Sequence, residues 1–94
     1  MTRDEIETLV QRFVIQAWGT FRWSDPDECV GLCDEAAEAL AFWCECQGIE
    51  VEITHEERNC EGRSPSHTVV TIGGWTVDLT ARQYDEDAEF PAIY

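Results

Sequence analysis

Two runs of β-forming residues, Thr68 to Ile72 and Trp75 to Leu79, flank the pair Gly73-Gly74. Two glycines between such runs signal a two-residue hairpin, because the tight turn needs positive φ at both central positions. A turn of that length also fixes the register. Ile72 faces Trp75, Val70 faces Val77, Val69 faces Asp78, and His67 falls opposite Thr80. His67 and Asp78 then share one sheet face as diagonal neighbours, about 7–8 Å apart at the backbone and within side-chain reach. Val70, Ile72, Trp75, Val77 and Leu79 form the opposite, more apolar face, which needs cover from the first helix or the tail.

Upstream, Thr2 and Glu5 have the spacing of a capping box. Ile6, Leu9, Val10, Phe13, Val14 and Ala17 then recur along one helical face, predicting a helix over about 4–18 that stops at Gly19. Phe21-Arg22-Trp23 reads as an apolar connector. Asp25-Pro26-Asp27-Glu28 opens a short helical turn that should break near Gly31. A second helix, about 33–47, carries Ala36, Ala37, Leu40, Ala41, Trp43 and Cys44 and closes at Gly48. Ile49, Val51 and Ile53 alternate with polar residues, giving a strand over about 49–54. Residues 55 to 66 read as a polar loop, residues 85 to 89 as an exposed acidic stretch, and Phe90 to Tyr94 as a terminal segment held by its apolar side chains. With strands at about 67–72 and 75–80, the expectation is one α+β domain over residues 1–94. The 33–47 helix would pack on a small antiparallel sheet of about three strands.

The chain has 20 acidic residues against six arginines and no lysine, a net charge of −14. Phosphate backbones repel such a surface, so nucleic acid is not expected as a partner; the charge reads first as a heavily solvated surface and second as an acidic face for a basic protein or a nucleic-acid mimic. No apolar stretch approaches the ~20 residues a membrane helix needs, and the charged start does not read as a signal peptide. Five cysteines without a secretory signal predict reduced thiols in a cytoplasmic, monomeric protein rather than a disulfide framework.

The chemistry concentrates at Gly31-Leu32-Cys33. A glycine turn delivers Cys33 to a helix start, where unpaired N–H groups and the dipole favour a thiolate and an oxyanion. Asp34 and Glu35 put negative charge beside it. A thiolate nucleophile needs a base and a group to orient that base, and the hairpin supplies His67 and Asp78. Cys29, before the glycine, is the rival nucleophile. Cys44 and Cys46 fall late in the helix, where the dipole opposes a thiolate, and read as packing. Zinc is not expected, because the spacings of Cys29, Cys33, Cys44, Cys46, Cys60, His55 and His67 do not form paired knuckles. No glycine-centred acidic loop suggests calcium, and His55 reads as solvated. No cofactor is called for.

Gly31-x-Cys33, Ser66-His67-x-Val69 and the run from Val77 through Asp78-Leu79-Thr80 to Gln83-Tyr84 resemble the small papain-like and transglutaminase-like cysteine enzymes of bacteria and their phages. The resemblance covers roughly residues 29 to 94. It implies a papain-like minimal core with Cys33 as nucleophile, His67 as general base and acid, and Asp78 as orienter. Gln83 is expected as a structural or substrate-positioning residue, and Trp75 as a substrate-side one. The implied activity is acyl transfer from an amide of a protein or peptide, as in a protease, glutamine deamidase or transglutaminase. A different class remains open: a catalytically silent papain-fold module whose acidic surface occupies a basic host protein, as a phage-encoded inhibitor would.

Overall fold

A computed structural model describes residues 1–17, 20–57 and 66–94. Helix α1 spans Arg3–Gln16. Both capping-box bonds are made: the Thr2 amide donates to Glu5 Oε1 at 2.9 Å and the Glu5 amide to Thr2 Oγ1 at 3.2 Å. The buried stripe is Ile6, Leu9, Val10 and Phe13. The expected stop at Gly19 lies outside the described residues. Phe21–Ser24, expected as a plain connector, forms one helical turn, α2. Burial explains the difference, since Trp23 is inside the core and its ring stacks on Phe13 at 5.9 Å. The break before the next helix is where it was expected. Gly31 has φ +80°, a conformation that side-chain-bearing residues avoid, and α3 begins two residues later as Cys33–Glu45.

Among the described residues the sheet is antiparallel with four strands, β1 (Val51–Glu57), β2 (Ser66–Ile72), β3 (Trp75–Asp78) and β4 (Ala92–Ile93), adjacent in chain order. The hairpin register is the expected one, with Ile72 opposite Trp75 and Val70 opposite Val77. Gly73 and Gly74 take φ +56° and +84°, as a type I′ turn requires. Three outcomes differ from expectation. First, β1 runs to Glu57, through residues assigned to a loop, because β2 supplies ladder partners as far as Ser66. Second, β3 ends at Asp78 rather than near residue 80. Third, the tail adds β4, with Val77 opposite Ile93.

One apolar core joins α1 (Ile6, Val10, Phe13), α3 (Ala36, Ala37, Leu40, Cys44) and the sheet (Val70, Ile72, Val77, Leu79, Ile93). Both long helices therefore help cover the apolar face of the hairpin. Among the described residues, no helix is long and apolar enough to cross a membrane. Leu40 is fully buried on α3, whereas Phe42, two residues on, is 70% exposed. Leu40→Ala is expected to cost about 3 kcal/mol through lost burial and a residual cavity. Phe42→Ala should stay within about 0.5 kcal/mol. Urea unfolding of the two variants checks the contrast.

Candidate active site

The hairpin brings His67 and Asp78 together as the register requires. His67 Nε2 lies 2.7 Å from Asp78 Oδ2. A carboxylate only accepts, so Nε2 carries the proton and donates it. The other carboxylate oxygen, Oδ1, accepts the Thr80 amide at 3.0 Å. Just after Thr80, a single 3-10 turn, Ala81–Gln83, folds the Gln83 side chain back over the pair. Gln83 Nε2 donates to Thr80 Oγ1 at 3.1 Å and lies 3.4 Å from His67 Nδ1. Asp78, His67, Gln83 and Thr80 thus close a ring of hydrogen bonds, with His67 at 0% and Gln83 at 6% exposure. Tyr84 sets its ring edge-on against the imidazole, centroids 4.8 Å apart. In this arrangement the Nδ1 lone pair is the basic site of the ring.

Cys33 is the first residue of α3, half-buried, with a free thiol. Its N-cap, Leu32, makes no side-chain cap, so that residue does not occupy the first amides of the helix. The two acids beside the cysteine are engaged elsewhere. Asp34 Oδ1 accepts from the Thr68 hydroxyl. With its single proton spent there, Thr68 Oγ1 accepts from His55 Nδ1 at 3.1 Å. Glu35 accepts from Arg22 at 3.1 Å and from the Trp23 indole at 3.2 Å. The Asp34–Thr68 bond has a geometric effect: it ties the residue after Cys33 to the residue after His67.

The chain entering α3 is also fastened to the Gln83 turn. Arg82 donates to the Ser24 carbonyl at 2.9 Å. The buried Cys29 thiol points at the carbonyls of Pro26 (3.8 Å) and Thr80 (4.0 Å). The sequence thus places three of its candidates, His67, Asp78 and Gln83, in one cluster. Cys33 starts α3 as expected, but its sulfur makes no hydrogen bond to a described residue. Trp75 sits at the turn end of β3, three residues from Asp78, half-buried against the apolar core. Cys29 is enclosed rather than presented to solvent, and Cys60 lies outside the described residues. In the sequence, Thr80 is marked by the register that sets it opposite His67, and Tyr84 only as the end of the run that carries the resemblance; nothing local marks Thr68.

Burial, and secondarily the Glu45 charge, push the Cys44 thiol from 9.0 up to about 11, whereas Cys46 is exposed. No family model, curated protein or solved structure matches this chain.

Two outcomes are expected. Asp78→Ala strips acceptors from two buried donors, the His67 imidazole and the Thr80 amide, and should destabilise the fold by about 3 kcal/mol. Asp78→Asn, which keeps an acceptor, should cost less; urea unfolding measures both. In native protein at pH 8, Cys44 should stay unlabelled by iodoacetamide while Cys46 reacts. Because its folded pKa is raised, Cys44 contributes stability below about pH 9 that is lost as pH climbs towards 11.

Proposed function

We propose that this chain is a papain-like, transglutaminase-like cysteine-dependent acyl-transfer protein acting on an amide of a protein or peptide. The observation that carries the reading is the buried 2.7 Å bond from His67 Nε2 to Asp78, which orients the ring and leaves Nδ1 as the base. Cys33 begins a helix next to the bond that ties α3 to β2. In the reaction, Gln83 yields its place at Nδ1 to the Cys33 thiol. Nδ1 takes the thiol proton as sulfur attacks the amide carbon, and the first amides of α3 hold the oxyanion. The imidazolium then protonates the departing amine as the C–N bond breaks, leaving a thioester. Water as acceptor gives proteolysis or deamidation, and an amine gives transglutamination.

A second reading has its own support. His67 is fully buried and both of its ring nitrogens have protein partners, which suits a structural histidine in a catalytically silent papain-fold module. That module would use its acidic surface to occupy a basic host protein.

Thiol alkylation against pH, followed by mass spectrometry, separates the two. The enzyme reading expects Cys33 to be labelled by iodoacetamide before the other thiols near neutral pH. His67→Ala should slow that labelling, by about tenfold or more for a base in contact, and Asp78→Ala should slow it less. Labelling of Cys33 that is indifferent to His67 would sink the enzyme and leave the binding module.

A further inference from the structure

The α1–α2–α3 side of the molecule holds an open groove of about 430 Å³. Phe13, Trp23, Ala39, Phe42 and Trp43 line it, and Arg22 and Glu35 stand at its margin. Phe42 lies on its lip, 70% exposed, although an aromatic ring of that size is normally withdrawn from water. Along α3, Glu35, Glu38, Phe42 and Glu45 follow one another at spacings of three and four, so the exposed ring is set among carboxylates on one side of the helix. The nearby cation, Arg22, already pairs with Glu35 at 3.1 Å.

We infer that this groove is a docking surface for a cationic segment of a partner protein that inserts one bulky apolar side chain between Phe42 and Trp43 while its basic residues meet Glu38 and Glu45. Charge decides among the possible occupants. A second copy of the chain brings another −14 and is repelled. An acidic or neutral apolar peptide gains the groove but nothing from the rim. A basic amphipathic segment gains both. The inference does not depend on Cys33 chemistry, and it supplies the second reading above with a definite surface.

Trp23 and Trp43 report occupancy through their own fluorescence, so the full chain can be titrated unlabelled. The probe is a short amphipathic Lys/Leu peptide carrying one Trp-free apolar face, compared with a Glu/Leu peptide of the same pattern and with a Lys/Ser peptide. Saturable binding of the Lys/Leu peptide alone is expected. Phe42→Ala and Ala39→Trp, the first removing the lip and the second filling the groove, should each weaken it by about tenfold. Ile15→Ala, which trims an 81% exposed apolar residue elsewhere on α1, should leave it unchanged. Circular dichroism confirms that each variant is folded, and Phe42→Gln, which removes the ring without adding charge, serves as the second variant if Ala39→Trp is not. Equal binding of the Lys/Ser peptide, or binding indifferent to both the lip and the groove variant, would reduce the surface to general acidity and overturn the inference. Equal binding of the Glu/Leu peptide, or dimerisation by sedimentation without peptide, would overturn it as well.

Discussion

The ring of hydrogen bonds through Asp78, His67, Gln83 and Thr80 is the constraint on which the sheet end of this fold depends. Each of these polar side chains lies out of water, where an unpaired donor or acceptor costs about 1–3 kcal/mol. Burial is tolerable because each finds a partner inside the ring. The ring also dictates backbone. The Thr80 amide must turn towards Asp78, which ends β3, and the chain must fold immediately into the 3-10 turn that returns Gln83 to the imidazole. A chemical requirement of one histidine thereby sets where a strand stops and how the tail departs.

A second set of bonds governs the start of α3. Aspartate and glutamate directly after Cys33 look unfavourable for a thiolate when read along the chain. In three dimensions Asp34 is drawn to Thr68 and Glu35 to Arg22 and Trp23, so both carboxylates serve as ties between elements. The same bonds hold the helix start against β2 and α2. Position in the first turn favours acids through the helix dipole in any case, and here local electrostatics and tertiary anchoring agree.

Much of this was legible because short-range chemistry determined it. The paired glycines fixed the hairpin register, and the register alone brought His67 to Asp78. Gly31 marked the break that makes Cys33 the first residue of a helix. What escaped was set by distant partners. A two-residue strand, Ala92–Ile93, has no periodicity to read and exists because β3 offers an open edge. His55, Glu56 and Glu57 look like loop until β2 pairs with them. Trp23 turns a connector into a helical turn by stacking on Phe13. The ring around His67 needed Gln83 to return through a turn that no propensity announces.

Strand order equal to chain order carries a kinetic meaning. Among the described residues every ladder joins strands that are neighbours in sequence, so none of these strands has to thread between two that are already paired, and each closure loses only the entropy of one connection. The hairpin closed by Gly73-Gly74 has the shortest loop and is the natural nucleus. β1 and β4 can then add to its two edges independently, in either order. An insertion lengthening that turn would slow assembly of the whole sheet, whereas the same insertion before β4 would delay only the last ladder to form.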